Sequence, residues 1–338
     1  LSYCGVVIVG FRNKDDVVVC LEHLSKIREP DHAVHICENG GSAAFEDMTS
    51  ALLGFGSEVT CDPRFGRPGT ITRTRVIELS ESGALVYVHQ ASGNIGYAGA
   101  INAVLDYLKP DPDWDSVWVL NPDTEPAPDA LIALKRRSEA GGYAIVGSRI
   151  VLMHNNKIQM YGGRWRRWMA RGYNIGLGAD RDATPDIAAV EAEMDYVCGA
   201  SMYIIRPFIE TIGHMDESYF LYAEEVDWCL RRGAFALGYA HDSIVRHSHG
   251  ATIGSNHSRK NRSSFSVYLD ERSKMLLTKR FYPKAFPLIM LFTLILTTQY
   301  AKQGAWKNFG VALQGWWSGV RGETGFPSRF LPKNVRPK

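Results

Sequence analysis

The sequence predicts an α/β protein with a mostly parallel central sheet flanked by helices, followed by a basic, apolar helical region at the C-terminal end. Three observations carry that expectation. Short β-branched runs without polar alternation, the pattern of strands buried on both faces, recur between segments of helical spacing. Several of these runs end in a tight polar turn, where an α/β sheet presents its chemistry. The composition is globular: 338 residues, 45% hydrophobic and 22% charged, which excludes a collagen-like, coiled-coil or wholly disordered chain.

The elements follow in order. A strand is expected over 5–10, where Val6, Val7, Ile8 and Val9 lie between two glycines. This run is too short for a secretory leader and leads straight into charged residues. Val17, Cys20, Leu21 and Leu24 share one helical face over 15–24. A second strand over 33–37 ends in Glu38, Asn39, Gly40 and Gly41, a turn signal. A helix is expected over 43–53. Residues 54–82, rich in Gly, Arg and Thr, read as an irregular insertion or mobile loop. A strand over 84–89, a helix over 99–108 and a strand over 116–120 come next, the last stopped by Asn121-Pro122-Asp123. A helix over 128–140 and a strand over 144–150 follow. Residues 151–195 read as loop-rich and contain Arg164, Trp165, Arg166, Arg167 and Trp168. Beyond them a strand over 196–205 breaks at Gly199, a helix covers 220–232, and 244–252 contains His247, Ser248, His249 and Gly250. No internal repeat or low-complexity segment interrupts the pattern.

Charge is unevenly spread. Net charge is +2, too small for a global nucleic-acid field, yet residues 1–257 hold 23 Lys/Arg against 33 Asp/Glu and residues 258–338 hold 15 against 3. A basic end on an acidic body points to a localised anionic partner. Residues 285–301 contain no charge and are flanked by Lys279, Arg280, Lys284, Lys302 and Lys307. Seventeen residues fall short of the ~20 of a spanning helix, so a monotopic membrane contact is expected, with a core helix or an oligomer interface as the alternative. The cysteines at 4, 20, 37, 61, 198 and 229 form no Cys-x-x-Cys pair and read as buried, reduced thiols.

Four local features could carry chemistry. Asp123, held at a strand end by a Pro-containing turn, suits a hard divalent ion bridging a diphosphate, though Asn-Pro-Asp is also an ordinary turn. The small residues around Asn94, Gly96, Gly99 and Asn102 let backbone approach an anion at a helix start. They do not match the dinucleotide-binding spacing, so a nicotinamide site is discounted. Glu224, Glu225 and Asp227 open a helix, either as dipole partners or as a general base. His247 and His249 follow a strand, and imidazole suits Mn or a similar ion.

In order along the chain, VIVGFRN, CENGG, NIGYAGAIN, VLNPDTEP, YVCGASMYIIR, MDESYFLYAEEVDWCLRRG and VRHSHGATIG resemble a family-2 glycosyltransferase of the GT-A fold, in the bacterial rhamnosyltransferase-like branch. The resemblance covers about 5–300. It implies a transferase domain over 1–257, split into a nucleotide-sugar-binding half (1–123) and an acceptor and catalytic half (124–257), then a membrane-associated region over 258–338. It implies that Phe11 and Glu38 hold the nucleobase, and that Arg12, Asn94, Gly96, Gly99, Asn102, Asn121 and Asp123 lie around the rest of the donor. Asp123 and His247 would hold Mg or Mn. Glu225 is the favoured base, with Glu224 and Asp227 left open. Gly199, Trp165 and Arg164 are expected at the acceptor. Arg12, Glu38 and Glu225 depart from the family's usual Asn, Asp and Asp.

These implications describe an inverting, metal-dependent transferase using a UDP or dTDP sugar, L-rhamnose or a hexose. The acceptor would be a polyprenyl-diphosphate-linked saccharide at the cytoplasmic face of the inner membrane, in surface polysaccharide synthesis. The Arg164 to Trp168 cluster could stack sugar or meet lipid phosphate. The competing readings are a sugar nucleotidyltransferase, which lacks its Gly-rich triphosphate loop here, and a non-catalytic membrane scaffold. Nucleic acid is not expected as a partner.

Overall fold

The computed structural model describes residues 2–60, 69–248 and 259–330. The first half comprises β1 (Tyr3–Gly10), α1 (Lys14–Leu24), β2 (His32–Glu38), α2 (Ser42–Leu52), β3 (Gly56–Val59), β4 (Ile71–Leu79), β5 (Leu85–Ala91), α3 (Gly96–Leu108) and β6 (Trp114–Leu120). The second comprises β7 (Thr124–Pro126), α4 (Ala130–Gly141), β8 (Tyr143–Leu152), β9 (Ile158–Met160), β10 (Gly162–Arg166), β11 (Arg171–Ile175), α5 (Ile187–Glu193), β12 (Ser201–Ile205), α6 (Arg206–Ile212), α7 (Glu224–Leu230) and β13 (Ala236–His247). Three helices follow: α8 (Ser264–Phe281), α9 (Phe286–Lys302) and α10 (Trp306–Arg321).

One large sheet runs β3-β4-β5-β2-β1-β6-β12-β8-β13-β7, with β9 on β8. Its wound part, β5-β2-β1-β6, is parallel as expected. The flanks are not, so the whole sheet is mixed. β4 runs antiparallel to both β5 and β3, and β12 is antiparallel to both β6 and β8. The reversal at β12 matters for the site. It pairs Ser201 with Leu120, so the residues leading into β12 lie beside those leaving β6.

Buried aliphatic residues hold the layers together. Val6, Val7 and Ile8 of β1 have no exposed surface, and neither do Val17 and Cys20 of α1 or Ile101 and Val104 of α3. Fully burying each Val, Leu or Ile contributes ~1.5–3 kcal/mol. Among the described residues the five cysteines are free and buried, and burial pushes their thiols up to about 12. They are inert packing groups, and Cys61 lies outside the described residues.

Several expected boundaries shift. The described parts of 54–82 form the β3–β4 pair on the sheet edge, where Val76, Ile77 and Leu79 find core partners. Residues 151–195 hold β9, the β10–β11 hairpin and α5. The strand expected from 196 starts only at Ser201. The helix expected from 220 starts only at Glu224, because Phe220, Tyr222 and Ala223 have φ of 67°, 70° and 73°, incompatible with a right-handed helix. β13 (Ala236–His247) carries His247 as its last residue rather than ending before it. His249 lies outside the described residues.

The C-terminal helices are tied to the rest. Most of the inward surface of α8 is buried, including Arg272, Met275 and Leu277. α10 crosses α8 closely because Gly315 and Gly319 face it: a Cβ on either would lie 2.3 Å from Tyr268 O or 2.4 Å from Arg272 O. Among the described residues no helix is long and apolar enough to cross a membrane.

Beneath α3, His35 Nδ1 lies 3.2 Å from His89 Nε2, and His89 Nδ1 lies 2.9 Å from Thr74 Oγ1. Burial first, then the neighbouring His35, holds the His89 imidazole well below its usual range. The folded state keeps it neutral, whereas the unfolded chain takes a proton below ~6.5. Stability should therefore be full above that pH and fall as the solution is acidified. Urea midpoints at pH 7.5 and 5.0 should show this drop, and His89→Gln should reduce it.

Candidate active site

The parallel strands β2, β1 and β6 lie side by side, and their C-terminal ends carry Glu38, then Phe11 and Arg12, then Asn121 to Asp123. Two inter-strand spacings separate the outer pair, roughly 10 Å, a span that suits a nucleoside diphosphate. The end of the strands is where ligands of such sheets bind.

At the β2 end, Glu38 is fully buried. Its Oε1 accepts from the backbone N–H groups of Gly40 (2.6 Å) and Arg12 (3.1 Å). Its Oε2 is buried without a hydrogen-bond partner. Burial raises the carboxyl above the usual carboxylate range, opposed by those two N–H groups and the Arg12 charge. Glu38, Arg12, Lys14, Asp15, Gly40 and Asp47 are among the residues lining a cavity of about 290 Å³. Arg12 adopts φ 55°, and its guanidinium sits 5.5 Å over the exposed Phe11 ring.

At the β6 end, Asp123 Oδ1 lies 3.2 Å from His247 Nε2, and both side chains are under a tenth exposed. Strand pairing of β13 with β7 brings them together. His247 Nδ1 lies 2.8 Å from Gln159 Oε1; donation to that oxygen turns Nε2 toward the aspartate. Gln159, on β9, had no signal in the sequence. An imidazolium–carboxylate pair satisfies this geometry, and so does a divalent cation drawing on both atoms. Oxygen plus imidazole nitrogen suits Mg or Mn. Among the described residues no group of three or more His, Cys, Asp or Glu could hold a metal, so a cation here would need donor or water oxygens to complete its shell.

Tyr97 joins the two halves. Its hydroxyl is shared between Gly199 O (3.0 Å) and Asn121 Oδ1 (3.3 Å). Burial first, then the charges of Glu225, Glu224, Cys198 and Asp123, holds that hydroxyl well above the usual phenol range. Glu225 and Asp123 thus lie around one tyrosine. Gly199 completes the link, since a methyl on it would sit 3.5 Å from Glu225 Cγ. Tyr97 lies within NIGYAGAIN, where linear order does not mark its hydroxyl as the link between Asn121 and Gly199.

The three acids at the head of α7 have different fates. Asp227 is fully buried and neutralised: Tyr219 donates to it (2.9 Å), Arg231 pairs with it (2.5 Å) and Arg280 lies 3.0 Å away. It is a structural clamp, and no longer a base candidate. Glu224 is buried toward Arg272, with Oε1 unpartnered. Burial, then the Glu225 charge, holds it well above the usual carboxylate range. Glu225 is half-buried. Burial raises its carboxyl too, opposed by backbone N–H groups at residues 225 and 226.

The loop that aims these acids is gripped from α8. Arg272 donates to Tyr219 O (2.9 Å), Ser273 donates to Leu221 O (3.0 Å), and the hydroxyls of Tyr222 and Ser266 lie 2.7 Å apart. On its other side Phe220 O accepts from Tyr97 N (3.0 Å). Gly96, at φ 79°, leaves room there, since a Cβ would lie 2.7 Å from that oxygen.

Other expected residues are used differently. Asn102 spends both ends of its amide on Met215 and Glu217, pinning the segment before α7. Gly99 packs inside α3 against Ile95. Asn94 accepts from Gly96 N and shapes the turn. Trp165 is a buried anchor of the β10–β11 hairpin, and Arg164 pairs with Glu193 (3.2 Å). These contacts bring neither of the two to Glu225.

No family model matches the chain. The hexosyltransferase Agl10 of low-salt glycan biosynthesis in Haloferax volcanii is 24% identical over 308 residues, covering 84% of this chain and 94% of that protein. The mannosyltransferase PcManGT from Pyrobaculum calidifontis, solved with GDP-Man and Mn2+, aligns with 94% of this chain and 86% of its own at a TM-score of 0.50 and 11% identity. GalNAc-T7, solved with UDP, GalNAc and Mn2+, aligns with 83% of this chain and 51% of its own at a TM-score of 0.54 and 13% identity. Fold and sequence likeness together make the chain a glycosyltransferase of the GT-A fold that resembles family 2.

Proposed function

We propose that this glycosyltransferase is inverting and metal-dependent, and moves a sugar from a UDP or dTDP donor to a hydroxyl of a lipid-linked saccharide. The observation that carries the reading is the meeting of Asp123, His247 and Glu225 around Tyr97 and Gly199. The relative's transfer of a hexose in glycan biosynthesis supports a hexose; L-rhamnose from dTDP-rhamnose is the narrower form of the same reading.

Each residue then has a task. Glu38 offers one buried, unpartnered oxygen to the base. One acceptor matches the single imide N–H of uracil or thymine better than the paired donors of guanine. Asp123 and His247 would hold the cation, which would supply positive charge against the diphosphate leaving group. Glu225 takes the proton from the acceptor hydroxyl as that oxygen attacks the anomeric carbon from the opposite face. Glu224, more deeply buried and beside Glu225, keeps its proton, so the pair presents one ionised base rather than two repelling charges. A polyprenyl-diphosphate-linked acceptor at the cytoplasmic leaflet suits the cationic C-terminal helices.

A panel of UDP, dTDP and GDP sugars, with and without Mn, should give nucleoside diphosphate release with a pyrimidine donor and metal. No release with any donor would favour the scaffold reading, and pyrophosphate release from a nucleoside triphosphate would favour the nucleotidyltransferase. Glu225→Gln should lower acceptor-dependent release by ~10²-fold or more, and unaltered turnover would remove Glu225 as the base. Asp227→Asn should instead lower the urea midpoint, since breaking a buried ion pair costs about 3–5 kcal/mol. The raised Glu225 carboxyl also sets the pH profile. The rate should fall as pH drops through a value above the usual ~4.3 of glutamate, because the base is then protonated, and that limb should vanish in Glu225→Gln.

A further inference from the structure

Helix α9 is inverted relative to a helix in water. Its buried face carries Ile289, Thr293, Thr297 and Tyr300. The two threonine hydroxyls are satisfied close by: Thr293 donates to Ile289 O (2.9 Å) and accepts from Trp316 Nε1 (3.1 Å), and Thr297 donates to Leu294 O (2.7 Å). Its outward face carries Leu288, Leu291, Phe292 and Ile295, exposed by 61%, 57%, 48% and 65%. These fall at i, i+3, i+4 and i+7, a single apolar stripe. A stripe of this size is a binding surface rather than scattered surface hydrophobes.

Both ends of the stripe carry exposed tryptophan and cations. At the start, Lys284 is exposed, and the short turn Arg167–Met169 packs against α9 with Arg167 and Trp168 facing outward. The Arg167 charge reaches Tyr282, in the α8–α9 connection. At the far end stand Lys302, Trp306 and Lys307, all exposed. Apolar side chains between aromatic and cationic borders match the layers of an anionic bilayer surface, with acyl chains under the stripe and headgroups at Trp, Lys and Arg.

We propose that the outward face of α9, bordered by Trp168 and Trp306, is a monotopic face that seats in an anionic lipid surface. The inference deepens the membrane part of the reading above and rests on it, but not on the transfer chemistry. Of the two uses open to Arg167 and Trp168, it assigns lipid phosphate rather than sugar stacking. The α9 layer is joined to the acid-bearing loop through α8, so a seated face would hold the site near lipid-borne acceptors.

The full chain should co-sediment with vesicles of phosphatidylglycerol and phosphatidylcholine, and much less with phosphatidylcholine alone. Leu291→Ser with Ile295→Ser should weaken binding by roughly tenfold or more, and Arg167→Gln with Lys284→Gln should weaken it and reduce its salt sensitivity. All four positions are at the surface, and urea midpoints should stay unchanged. Donor breakdown to nucleoside diphosphate without acceptor should persist in these variants, which separates loss of membrane binding from loss of the transferase. Wild-type binding that the Leu291→Ser, Ile295→Ser pair leaves intact would overturn the proposal. So would a concentration-dependent dimer abolished by that pair with no vesicle binding, since a second copy would then cover the stripe.

Discussion

The backbone of 219–223 is the constraint on which the site depends. Three of its residues hold positive φ without being glycine, conformations that cost of order 1–3 kcal/mol each. Such a segment persists only when its surroundings over-determine it. Here α8 grips it from one side through Arg272, Ser273 and Ser266. The start of α3 meets it from the other through Tyr97 N and Gly96. The outcome is that Glu224 and Glu225 leave the loop at the head of a short helix, one turned inward and the other toward Gly199.

Neighbouring acids acquire different chemistry from this arrangement. Asp227 is saturated by two arginines and a tyrosine, so it ties α7 to α8. Glu224 is deprived of water with one oxygen unpartnered, so its neutral form is favoured. Glu225 retains solvent contact and backbone donors. Sequence spacing treats the three as equivalent, whereas burial and partners separate them. The same logic runs through the sheet. Reversal of β12 between two strands carries Gly199 to the end of β6, and there the Tyr97 hydroxyl can touch both halves of the molecule.

The basic helices past 258 are part of this machinery as well as its edge. α8 has one side committed to the acid-bearing loop, and α10 crosses it at glycine-to-backbone distance. α9 rides on that pair through Thr293, which contacts Met275 and Trp316, and directs its larger apolar residues outward. Charge counting detects that this region differs from the rest. It does not detect that the first of its helices is as deeply packed as the core.

Much of the fold was legible in the sequence by itself. Buried strands such as β1 and β6 announce themselves by unbroken Val, Ile and Leu, and turn chemistry marks where they end. Those ends carry Glu38 and Asp123, so both ends of the candidate site could be named from linear order. Only tertiary structure decided the rest, for physical reasons that linear order does not contain. Antiparallel insertion of β12, the pairing of Gln159 with His247, the arginines around Asp227 and the inside-out exposure of α9 all involve residues far apart in the chain. Asn102 makes the point most simply: its place in a glycine-rich motif suggested a ligand contact, but its amide is consumed by Met215 and Glu217, more than a hundred residues away.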